Sequence, residues 1–207
     1  MHTSQLAALS STSTSPAPWA LAAIVHEEHG VSEAPLLEFA QRLSAQGWCV
    51  RGLAQVPPQH YPSGTPRRMD LIDLETGQRY PISQHLGAGS GSCCLNPAGV
   101  AEATIALRRA LGSAQRPDLI VLNRFGALEA KGSGFFDEFA AIAQAGIPAI
   151  TAVATPYLPA WQAFTAGSAA ALPPEAAALH AWWQTQLARR RAAQERATWE
   201  SATQESA

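Results

Sequence analysis

Short, mostly apolar runs punctuate this chain, and the stretches between them are apolar at helical spacing. Ala20-Leu21-Ala22-Ala23-Ile24-Val25 is the first run, and others fall within residues 48–55, 118–123 and 147–153. Strands covered on both faces need this pattern, with no polar position alternating, so each run predicts a buried strand of a parallel sheet. Ser32 is placed to cap a helix that carries Leu36, Ala40 and Leu43 on one face, with Pro35 in its first turn. Asn96-Pro97 reads as the cap and first position of a helix over Ala98 to Leu111. Behind Gly132-Ser133-Gly134, Phe135, Phe139 and Ile142 mark another, and a short aromatic-rich helix is expected from Thr155 to Thr165. One segment has a different period. Met69 to Leu74 alternates apolar and acidic residues, Glu75-Thr76-Gly77-Gln78 turns, and Arg79 to Ser83 returns, which predicts a hairpin with Asp70 and Asp73 on its solvent face.

The alternation of strands and helices predicts an α/β fold: a parallel, helix-flanked sheet of P-loop NTPase-like topology with an inserted β-hairpin. Residues 1–18, rich in Ser, Thr, Ala and Pro and without apolar period, read as a disordered lead-in to a domain over 19–174. Residues 175–207 form a C-terminal helix, alanine-rich, with Trp182 and Trp183 near its start and Arg189-Arg190-Arg191 further on. The tryptophans dock either on the domain or on another subunit, and a homo-oligomeric contact is the expectation. The Pro-rich stretch 57–66 is expected to be a lid or an insertion.

Charge and cysteine content narrow the partners. A net charge of −2 gives no electrostatic case for nucleic acid, and no apolar run is long enough to span a bilayer. The first positive side chain is Arg42, so neither a secretory n-region nor the arginines of a transit peptide are present, and a cytoplasmic protein is expected. Cys49, Cys93 and Cys94 lack the spacing of a disulfide framework or a zinc site.

Chemistry concentrates at strand ends. Leu119-Ile120-Val121-Leu122 stops abruptly in Asn123-Arg124, and open parallel sheets place ligands at that carboxyl edge. In a P-loop phosphohydrolase the same position carries two acids that hold Mg²⁺ and orient water; here they are an amide and a guanidinium. Against the phosphate-loop pattern G-x-x-x-x-G-K-S/T, Val25 falls at the first glycine, Gly30 at the second, Val31 at the lysine and Ser32 at the hydroxyl. The lysine is lost, and Glu27 and Glu28 face the phosphate position, so MgATP is not expected to bind. His26 and His29 flank these two acids without the spacing of a helical zinc site, so no metal is assigned. Gly89, Ser90, Gly91 and Ser92 lie in a glycine- and serine-rich loop just ahead of Cys93 and Asn96, where backbone amides and a helix N-terminus can gather an anion. Two roles are open to Arg124: holding a tetrahedral oxyanion beside Asn123, or forming an ion pair with Glu129, Glu28 or Glu27. Arg68 and His85 are, with His26, Glu27, Glu28, His29, Ser32 and Glu129, secondary candidates for the ligand site.

Three motifs carry a resemblance: Met69 to Gly77, Gly91-Ser92-Cys93-Cys94-Leu95-Asn96-Pro97, and Asn123-Arg124-Phe125-Gly126-Ala127-Leu128-Glu129. In this order they are similar to the bacterial domain-of-unknown-function 2478 family, over roughly positions 20 to 175. That family resembles a degenerate relative of the archaeal-type P-loop nucleoside-triphosphatases, which carry a comparable hairpin. Cys93 matches the cysteine of its pattern, and Glu129 aligns with a glutamate of the phosphohydrolases. The resemblance implies an association with molybdenum uptake and molybdoenzymes. The expectation is therefore a non-hydrolysing protein that binds a small oxyanion, molybdate or tungstate, with no other cofactor required. The competing readings are a nucleotide-binding enzyme using Glu27, Glu28, Glu129 and Ser32, and a regulatory subunit docking through its terminal helix.

Overall fold

The computed structural model describes residues 20–27, 31–57, 68–84 and 95–204. Seven strands form one sheet in the order β4-β3-β2-β5-β6-β1-β7. Five of them run parallel: β1 (Leu21–His26), β2 (Val50–Gln55), β5 (Leu119–Val121), β6 (Ala149–Ala154) and β7 (Ala170–Leu172). The hairpin β3 (Asp70–Asp73) and β4 (Arg79–Pro81) extends the sheet antiparallel beyond β2. The expected α/β class, parallel sheet and inserted hairpin are all present. β7 was not foreseen, because its Ala-Ala-Leu run lacks β-branched or aromatic residues; it gains strand geometry by pairing Ala22, Ala23 and Ile24 of β1.

Both faces of the sheet are covered, which explains the unbroken aliphatic runs. Ala22 and Ile24 of β1 and Leu119 and Val121 of β5 meet α1 (Glu33–Ala45) and α5 (Ala176–Gln204) on one side. Leu21, Ala23 and Ile120 point the other way, to α2 (Pro97–Leu111), α3 (Phe136–Gln144) and α4 (Leu158–Phe164). Burying a side chain of this size contributes about 1.5–3 kcal/mol, so the two aliphatic layers dominate the stability. Strands β2 and β5 approach closely at Gly52, whose φ of +106° and contact with the Val121 carbonyl leave no room for a side chain.

Two expectations are corrected here. Asp70 and Asp73 are not on a solvent face; each is 1% exposed. The flanking helices cover this end of the sheet as well, so the acids are buried and paired, Asp70 with Arg68 at 2.9 Å and Asp73 with Arg109 of α2. Asp73 also accepts from the Glu75 N–H (2.9 Å) and the Thr76 hydroxyl (2.7 Å), which fixes the hairpin turn. The second correction concerns α5. Trp182 and Trp183 dock on their own domain: Trp183 is 2% exposed and stacks edge-on to Trp48 at 5.4 Å between ring centroids. Any contact with another subunit is left to the exposed remainder of α5, where Trp199 is 70% exposed.

Candidate ligand site at the carboxyl edge

Neighbouring strands β1 and β6 send their following helices to opposite faces, α1 to one and α4 to the other. In open α/β sheets such a reversal is the place where ligands bind, outside the carboxyl ends of the strands. The Thr155 hydroxyl, just past β6, donates to the His26 carbonyl at 3.2 Å and ties the two strand ends together. His26 ends β1 and is buried, and Glu27 beyond it is exposed.

Asn123 and Arg124 enter this edge through a local irregularity. The Leu122 N–H bonds the Ile150 carbonyl at 2.9 Å, and the next ladder bond runs from the Phe125 N–H to the Ala152 carbonyl at 3.0 Å. Three residues on this strand thus oppose two on β6, a bulge-like insertion of the kind that re-aims side chains. Phe125 anchors the far side among Phe139, Trp161 and Phe164, with ring centroids 5.2–5.7 Å away. Glu129 finishes the loop by accepting from the Gly126 N–H (2.9 Å) and the Phe135 N–H (3.1 Å). Gly134 is required beside it: at φ +64° its backbone lies against the Glu129 carboxylate, where a Cβ would collide.

The partner of Arg124 is Glu33, the first residue of α1. Arg124 Nη2 donates to Glu33 Oε1 at 2.7 Å, and Gln55 at the end of β2 reaches the same oxygen at 3.5 Å. Glu33 is only 5% exposed in its side chain and Arg124 27%. Ser32 sits at the cap position of α1 but makes no capping hydrogen bond. Among the described residues, three buried oxygens here have no hydrogen-bond partner: Ser32 Oγ, Glu33 Oε2 and Asn123 Oδ1. Buried polar atoms without partners are rare, which makes these three candidates for contact with water or a ligand.

A family model described as "Protein of unknown function (DUF2478)" matches residues 21–182. The chain belongs to the DUF2478 family. It is 39% identical over 167 residues to the "Molybdenum import ATP-binding protein ModC 2" of Bradyrhizobium diazoefficiens, a match covering 81% of this chain and 18% of that relative. The chain therefore spans less than a fifth of that relative's length. No solved structure matches it.

Of the residues anticipated in this DUF2478 chain, Ser32, Asn123 and Arg124 are brought to one edge. Glu28, His29, His85, Gly89, Ser90, Gly91, Ser92 and Cys93 lie outside the described residues. Asn96 is a helix cap, its side chain accepting from the Ala98 N–H at 3.1 Å, and Gly99 packs this end of α2 on the Pro81 carbonyl, away towards the hairpin. Arg68 belongs to the hairpin through Asp70. Glu129 is corrected as the ion-pair partner of Arg124, which pairs with Glu33; its two oxygens accept from the Gly126 and Phe135 N–H groups. Glu33 and Gln55 were missed. For Glu33 a signal was present, since it follows the hydroxyl position of the phosphate-loop pattern and opens a helix, where a carboxylate is favoured by the dipole. Among the described residues, no three or more His, Cys, Asp and Glu side chains are grouped to hold a metal ion, and no helix is long and apolar enough to cross a membrane.

Proposed function

We propose that this DUF2478 protein is a non-hydrolysing module that binds molybdate, or its congener tungstate, in support of molybdenum uptake. The observation that carries the reading is the Arg124–Glu33 pair at the helix entrance. A nucleotide triphosphate needs a lysine and a helix N-terminus open to phosphate. Here the chain's own carboxylate occupies the first position of α1, and no lysine stands nearby in sequence. A small dianion has different needs. Only one nitrogen of the Arg124 fork is engaged by Glu33, and the Ser32 hydroxyl is uncommitted, leaving donors for a tetrahedral oxyanion.

The likeness to one stretch of a protein named for molybdenum import supports the choice of oxyanion. The ATP binding in that relative's name is not carried over to this chain, which matches 18% of its length and lacks the Walker lysine and carboxylates. Calorimetric titration of metal-free protein with molybdate tests the proposal, with sulfate and phosphate as competitors and MgATP added last. Saturable molybdate binding that sulfate does not displace, with MgATP silent, is the expected result. The words "ATP-binding" in the relative's name favour one second reading, a nucleotide-binding enzyme with relocated acids. Glu27, Glu28 and Glu129 would be its candidate acids, and magnesium-dependent phosphate release would support that reading over the first.

A further inference from the structure

The unpartnered atoms at this edge include two that can only accept. Glu33 Oε2 is a carboxylate oxygen and Asn123 Oδ1 an amide oxygen, and both are buried without a partner among the described residues. Molybdate near neutrality is also an acceptor only. Two acceptors facing each other in a water-poor site repel, and each then bears its full desolvation cost. The contact becomes favourable when a proton lies between them, as in oxyanion sites where a neutral carboxyl group donates to the ligand.

We infer that the site takes up its dianion together with one proton, held between Glu33 Oε2 and a ligand oxygen, so that Glu33 sets the pH dependence of binding. This rests on the oxyanion reading proposed above. The proton comes from solvent, and no covalent bond forms or breaks in the ligand. On binding, Arg124 turns from neutralising Glu33 to neutralising the dianion, and the proton removes the charge that Glu33 would otherwise hold beside it. Among the described residues, the charged group paired with Glu33 is Arg124, and His26 and Glu27 precede its helix in sequence. Arg124 comes from the end of β5 and His26 and Glu27 from the end of β1; β2 contributes the neutral Gln55, and β6 ends in Ala154 and Thr155.

The sign follows from linkage: a complex that holds one more proton than its separated parts tightens as pH falls, by about tenfold per pH unit. The experiment titrates the full chain with sodium molybdate between about pH 7 and 8.5, at each pH in two buffers of different ionisation heat, to count the protons taken up. About one proton per molybdate is expected for the natural chain, with affinity rising on the acid side. Glu33→Gln supplies an amide donor in place of that proton. It is expected to bind with constant affinity across the range and with no proton uptake.

Molybdate binding with no buffer-dependent heat and flat affinity would overturn the inference and leave the oxyanion reading standing. Proton uptake that persists in Glu33→Gln would place the proton elsewhere and would equally overturn the assignment. No molybdate binding at any pH would overturn the oxyanion reading itself. The proton count on the natural chain needs no variant, so a poorly folded Glu33→Gln does not protect the inference.

Discussion

Helices α1 and α2 open at the same edge of the sheet with similar sequences, a polar cap residue and a proline in the first turn, yet their N-termini are finished differently. At α2, Asn96 bonds the Ala98 N–H and Pro97 removes an amide that would need a partner. At α1, Ser32 keeps its hydroxyl free and 1% exposed, and Glu33 turns to Arg124. A helix start whose cap is spent is architecture; one whose polar atoms are buried and unspent is available for chemistry. On the reading proposed above, this difference favours α1 as the ligand's helix; the glycine-rich loop ahead of α2 lies outside the described residues.

Four substitutions probe that contrast. Arg124→Ala has the largest expected effect: it leaves Glu33 buried without its counter-charge, lowers stability by about 3 kcal/mol in urea unfolding, and abolishes the molybdate heat. Unchanged affinity would remove Arg124 from the site. Glu129→Ala frees two buried amides and loosens the loop that presents Arg124, so a loss of about 2 kcal/mol is expected together with weaker binding. Full affinity alongside that loss would show that the loop holds its shape without the staple. Ser32→Ala separates ligand binding from fold. With no cap bond to lose, its midpoint in urea should hold to within about 0.5 kcal/mol, while molybdate binding weakens roughly tenfold. Asn96→Ala is the mirror case, costing about 1 kcal/mol of stability and leaving affinity unchanged; a drop in affinity there would return α2 to the site.

The sheet was legible because strands buried on both faces must be aliphatic throughout, and Leu119 to Leu122 has little freedom to be anything else. β7 was not legible, since its geometry comes from its neighbour β1 rather than from Ala170, Ala171 and Leu172 themselves. The hairpin was placed correctly but its acids were assigned to water; three residues apart, Asp70 and Asp73 fall on opposite faces of a strand, so no single solvent face could hold both, and arginine partners bury them. At the site, Asn123 and Arg124 stood out by breaking an apolar run. Their partner did not: Glu33 is 91 positions away in sequence, and a first-turn acid has an ordinary local explanation in the helix dipole. The spare residue that bends the chain before Phe125 shows only in the ladder bonds on either side of it.

The indoles of Trp182 and Trp183 also bear on how the protein is made. Synthesis from the amino end produces β1, α1 and the central strands first, and α5, which roofs the α1 side of the sheet, long afterwards. Until Leu179, Trp182 and Trp183 have been translated, a greasy flank around Leu36, Phe39 and Leu43 stays wet. The nascent domain is then exposed to chaperones and proteases through most of its translation, and closure of its core is a late event of biogenesis.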